Sequence, residues 1–154
     1  MHCAICGGTL EDVTEMRMGR YRGETVEVQS EFMRCKQCGE EFFAPAQIRS
    51  HARAVKNEIR KRRGLLPAQK IAEIRNSLKL TQEELEEVLG TGPKVVVRWE
   101  SGKVVQSRGQ DNMLRLLDRD PTIIEKLRQI QQSRAAEREH AKRPNPKGMI
   151  AQAV

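Results

Sequence analysis

Two C-x-x-C-G knuckles, Cys3-Ala4-Ile5-Cys6-Gly7 and Cys35-Lys36-Gln37-Cys38-Gly39, constrain this chain more than any other feature. Each offers two thiolates from one tight turn, and together they supply a tetrahedral four-sulfur site that suits Zn²⁺. With all four positions filled by Cys3, Cys6, Cys35 and Cys38, no site stays open for water, so one structural zinc per chain is expected. The gap between the knuckles exceeds the usual ribbon spacing and calls for a hairpin. Val26, Val28 and Phe32 alternate with Glu27, Gln29 and Glu31, which reads as a strand. Thr9–Met18 is its expected partner, joined through Gly19–Gly23. A thioredoxin-like redox pair needs its C-x-x-C at a helix start inside a βαβ unit, which this segment lacks. An iron–sulfur cluster would use the same ligands. His2 and His51 are surplus to a four-cysteine site and read as surface residues.

Composition points the same way. Aromatics make up 3% of 154 residues, too few for one large core, so small units with a staple are expected. No apolar run reaches transmembrane length, and the N-terminus lacks a signal peptide's apolar segment. A cytosolic chain follows, in which four cysteines favour metal over disulfides. The net charge of +7 is unevenly spread. Residues 1–44 hold five Lys/Arg against eight Asp/Glu, whereas residues 45–66 hold seven against one. Nucleic acid suits the basic connector, and a basic partner suits the acidic head.

The second organising stretch is Leu80–Lys103. Thr81 with Glu84 three residues later forms a capping box, and Leu85, Val88 and Leu89 give one short apolar face. Gly90 stops that helix. Pro93 suits the first position of a second helix, in which Val96 and Trp99 pack inward until Gly102 ends it. Two short helices across a Gly turn fit a helix-turn-helix, the alternative being an ordinary helical hairpin. On that reading Lys94 and Arg98, one turn apart, face base edges, and Val95 and Val97 touch thymine methyls or simply pack. Gln82, Ser101 and Lys103 approach phosphates.

Between head and helices, Pro45 opens a connector helix and Gly64 closes it. Ile48, Ala52, Val55 and Ile59 form its apolar stripe, beside a basic stripe of Arg49, Arg53, Lys56 and Arg60. Lys61, Arg62 and Arg63 cluster before the hinge and suit DNA phosphate. Further on, Ile71, Ile74 and Leu78 mark one helix and Leu114 and Leu117 another. Ile123, Ile124, Leu127 and Ile130 mark the last. The expected fold is two-domain α+β: a zinc domain (1–44), a connector helix and hinge (45–66), and a five-helix domain around Trp99 (67–130). A polar basic tail (131–154), expected to be disordered and most plainly so at Arg143–Gly148, completes the chain.

Leu80-Thr81-Gln82-Glu83-Glu84-Leu85, Gly90 and Arg98-Trp99-Glu100-Ser101-Gly102-Lys103 resemble the Cro/Xre helix-turn-helix family over roughly residues 68–120. The whole order of parts resembles the MqsA (YgiT-type) antitoxin family over about residues 1–128. The two knuckles, Tyr21-Arg22-Gly23 and Leu116-Leu117-Asp118 before Pro121 carry that likeness. It implies a homodimer through the C-terminal domains, for which Leu114, Leu117, Ile124 and Leu127 are the candidates, and a palindromic operator. It also implies a zinc head that engages a small toxin, often an mRNA-cleaving ribonuclease. Arg98 matches the family's base-reading Arg, while Lys94 stands where the best-known member has Asn. The expected function is an autorepressor and antitoxin without catalysis. The alternatives are a stand-alone zinc-containing regulator and, from another class, a thiol-redox or nuclease enzyme. Against the enzyme, His51 and His140 lie in basic helical stretches, and no paired carboxylates accompany a metal-binding His.

Overall fold

A computed structural model describes residues 1–142. Strand β1 (Leu10–Tyr21) pairs antiparallel with β2 (Glu24–Cys35), from Tyr21 opposite Glu24 to Leu10 opposite Cys35. The two-residue turn Arg22-Gly23 has φ of 47° and 86°, a primed turn whose twist matches that of the flanking strands. The hairpin is therefore longer than the sequence suggested. Gly19, expected in the connection, lies inside β1, where an added Cβ would collide with the Val55 side chain. A short β3 (Glu41–Phe42) pairs with Met33 and Arg34 and completes a sheet of order β1-β2-β3.

Helix α1 (Pro45–Arg62) opens at Pro45, and the Gln47 side chain accepts the Ala44 N–H at 2.9 Å. Its Val55 and Ile59 bury against Val26 and Val28, flanked by Tyr21 and Ala54. Ile48, read as part of the same stripe, is exposed. Ser30 occupies the inward position between Val28 and Phe32 and meets Nδ1 of His51 at 2.5 Å. His51 is accordingly half-buried, not a surface residue.

Five helices follow: α2 (Ala68–Ser77), α3 (Gln82–Leu89), α4 (Val95–Glu100), α5 (Arg108–Arg119) and α6 (Ile123–Lys142). Trp99 sits in a core with Ile71, Ile74, Leu85, Val88, Val96, Leu114 and Leu117. The capping box forms as read: Glu84 N–H donates to Thr81 Oγ1 at 3.1 Å, and Thr81 N–H donates to Glu84 Oε2 at 2.7 Å. Gly90 ends α3 in the left-handed region. Pro93, by contrast, does not open the second helix. It lies in the turn, Lys94 takes the cap position at φ 61°, and α4 starts at Val95.

Two further expectations are corrected. Leu114 and Leu117 are fully buried within the chain's own core, so neither side chain is available to a second copy. Helix α6 runs to Lys142, so residues 131–142 are helical and not part of a disordered tail. The expectation for Arg143–Gly148 lies outside the described residues. Among the described residues, no helix is long and apolar enough to cross a membrane.

Candidate metal centre and nucleic-acid interface

The hairpin brings the two knuckles together because its root pairs Leu10 with Cys35, next to the first knuckle. The Sγ atoms of Cys3, Cys6, Cys35 and Cys38 all lie within 4.8 Å of one another. Cys3 and Cys38 are 3.6 Å apart, Cys6 and Cys35 3.4 Å. Zn–S bonds of about 2.3 Å in a tetrahedron put sulfurs about 3.8 Å apart, so the cluster fits such an ion closely. Backbone N–H groups of Ile5 and Gln37 point at Sγ of Cys3 and Cys35, both at 3.4 Å, and stabilise thiolate there. Four thiols this close do not ionise independently. The Cys38 backbone N–H, with help from Gln37, pulls Cys35 down to about 6. Cys38 feels the opposing pull of the Glu40 N–H, yet the neighbouring sulfurs, led by Cys6, push it up to about 12. A bound cation removes that conflict, and these four cysteines could hold one. Neither knuckle opens a helix, which removes the thioredoxin-like arrangement.

On the helical domain, α2, α3 and α4 are tied together by a polar brace. Arg75 Nε donates to Glu100 Oε1 at 2.7 Å, and Gln82 Nε2 donates to Glu100 Oε2 at 2.7 Å. Hydrogen bonding to Glu100 raises the pKa of Arg75 further above its ordinary value. The exposed face of α4 collects Lys94, Val97 and Arg98, while Val95 is partly turned into the core. Ser101 and Lys103 follow at the helix end, Lys103 exposed.

The basic cluster before the hinge is divided. Lys61 is exposed, but Arg62 donates to the Thr25 carbonyl at 3.3 Å and Arg63 pairs with Glu24. That pairing holds the Glu24 carboxyl below its usual range.

Arg60, read as part of the basic stripe beside the apolar one, is only 1% exposed. It donates to Gln106 Oε1 at 3.1 Å, to the Val104 carbonyl at 2.6 Å and to the Trp99 carbonyl at 3.3 Å. Burial lowers its pKa, since no carboxylate touches the guanidinium among the described residues. Gln106 in turn donates to the Leu66 carbonyl at 2.8 Å and to Asp111 Oδ1 at 3.0 Å. Burial works against the Asp111 charge, but Arg115, the Leu66 N–H and Gln106 together hold its pKa below the ordinary value. The hairpin tip joins in, with Tyr21 Oη accepting the Val105 N–H at 3.3 Å. Head, connector and helical domain thus meet around the loop that follows α4. A basic residue inside a basic run gives no sequence signal of such burial.

A four-cysteine cluster that could hold a metal ion, set on a hairpin and joined by a helix to a helical domain, defines a two-part class of protein. The chain belongs to the MqsA family, the antitoxin component of bacterial toxin-antitoxin systems, whose pattern it matches over residues 1–128. It is thereby an antitoxin and not an enzyme. No curated protein matches the chain. The last two-thirds of α6 lies beyond the matched span.

Proposed function

We propose that this antitoxin is a dimeric, zinc-containing repressor that binds a palindromic operator through α4 and a small toxin through its head. The observation that carries the DNA reading is the exposed pair Lys94 and Arg98, one turn apart on a helix anchored from beneath by Val96 and Trp99. A lysine and an arginine so placed suit guanine O6 and N7 in the major groove. Ser101, Lys103 and Lys61 serve phosphates, while Gln82, Arg62 and Arg63 have partners within the chain. In a dimer two such helices sit about 34 Å apart, one turn of B-DNA. The dimer contact passes to the outer side of α5 and α6, where Leu116 and Ile130 are exposed and Ile124 and Leu127 half-buried.

For the head, the reading is one structural Zn²⁺ and a cationic toxin, bound at a surface separate from the DNA face. Among the described residues, the edge of β2 from Glu27 to Glu31, short of the pairing with β3, offers strand backbone with no strand partner on that side, beside exposed Glu27 and Glu31. An added strand from an RNA-binding, hence basic, ribonuclease would find both backbone partners and opposite charge there. The apolar stripe of α1 is spent on the sheet, so only Ile48 of it remains for a partner.

Selection of full-length protein against random double-stranded DNA tests the central claim. Enrichment of an inverted repeat with guanine at the contacted positions is expected. Enrichment of no sequence at moderate salt would overturn it.

A further inference from the structure

Of the four glutamates in α3, Glu86 alone is buried, at 6% exposure. Its carboxylate spans the turn to the next helix: Oε2 accepts the Lys94 N–H at 3.0 Å and Oε1 the Val96 N–H at 2.9 Å. Its main-chain carbonyl accepts the Thr91 N–H at 3.0 Å. Helix α4 has no side-chain cap of its own, because Lys94 occupies the cap position where Ser, Thr, Asp or Asn would otherwise serve. A helix of 6 residues is too short to hold its first turn by propensity alone.

We propose that Glu86 is the positioning residue for operator recognition: its carboxylate fixes the rotation of α4 and so aims Lys94 and Arg98. This inference rests on the DNA-binding reading above. Val96 and Trp99 anchor the inner side of α4, but apolar contact is non-directional and tolerates rotation and slippage. Two charge-assisted hydrogen bonds from one rigid carboxylate to N–H groups on either side of Val95 do not. Glu86 lies beneath the helix and touches no DNA, so its influence passes entirely through the backbone it holds. Base readout depends on such alignment, whereas phosphate contacts from flexible side chains do not.

The test compares the full chain with Glu86→Ala and Glu86→Gln. Affinity is measured for the selected operator and for a shuffled duplex at one salt concentration, with circular dichroism confirming folding. For Glu86→Ala the operator-to-shuffled ratio should fall about tenfold to a hundredfold, with the salt dependence unchanged because the phosphate contacts remain. Glu86→Gln keeps one acceptor but turns an NH₂ towards an N–H, and should fall in between. Should Glu86→Ala fail to fold, the Gln variant carries the measurement. A residue that only aids folding would lower the melting temperature and leave that ratio intact. Folded Glu86 variants with the wild-type ratio would therefore overturn this inference alone. A wild-type chain that enriches no sequence overturns the DNA-binding reading and this inference with it.

Discussion

Arg60 on the connector helix and Gln106 in the loop after α4 meet at 3.1 Å, both essentially buried. The guanidinium charge is solvated by amide and carbonyl oxygens, with no carboxylate paired to it among the described residues. Removing it leaves Gln106 Oε1 and the carbonyls of Val104 and Trp99 without that donor. Arg60→Met should cost roughly 2–4 kcal/mol in urea denaturation of the whole chain. Arg60→Lys should restore little, since one ammonium lacks the fork that spans these acceptors. Full stability in Arg60→Met would mean the joint is not formed in solution.

The metal should hold the head together. Apparent binding free energies of structural zinc are on the order of 10–16 kcal/mol, more than this hairpin's small apolar core can replace. Cys38→Ser should lose the ion and the strand signal while the α2–α5 core stays folded. Elemental analysis giving less than one zinc per chain of freshly purified protein would sink the zinc assignment.

Acid should loosen the joint through Asp111, whose folded-state pKa is lowered. The unfolded-state value is about 3.9, so its stabilisation is complete above that and is lost as pH falls through the lower folded value. Asp111→Asn should flatten the melting temperature's decline between about pH 5 and pH 2. An unchanged slope there would remove Asp111 from the account.

Base reading should follow chemistry. Arg98→Ala is expected to cost roughly 1–3 kcal/mol and to relax one base position. Lys94→Asn should move the preference at its own position from guanine towards adenine, because Asn offers both a donor and an acceptor. A selected site that stays the same in Lys94→Asn would show that Lys94 is not a reader.

Core and dimer face should separate cleanly. Leu117→Ala, wholly buried, should lose about 2–5 kcal/mol of folding stability. Ile130→Ser, at 46% exposure, should barely change folding yet shift sedimentation towards monomer. Dimers that survive Ile130→Ser together with Leu116→Ser would place the interface elsewhere.

How much of this was legible depended on whether the cause was local. Ligand spacing declared the cysteine cluster, and Thr81 with Glu84 and Gly90 declared the bounds of α3, because caps and knuckles are short-range devices. The start of α4 was misread because its cap comes from Glu86, on another helix. Gly19 read as a connection because glycine punctuates loops, whereas here it makes room for Val55. Periodicity marked Leu114 and Leu117 as apolar-face residues but carries no information on whether that face meets the chain's own core or a partner. The far part of α6 is polar all round, so its Gln, Arg, Ala and Glu gave no stripe despite good helix propensity.

The β1–β2 ribbon carries the cysteines at its root and Tyr21 and Glu24 at its tip, and the tip is fastened to the loop after α4 and to Arg63. Strands of 12 residues at about 3.3 Å each separate the two ends by roughly 36 Å. That is several screening lengths of about 8 Å at physiological salt, so charge at the cysteine end is largely screened at the tip, where the ribbon meets the helical domain. What joins the two ends is the continuous β1–β2 ladder and the Tyr21 contact with Val105, so the head meets the helical domain through hydrogen bonds and packing rather than long-range charge.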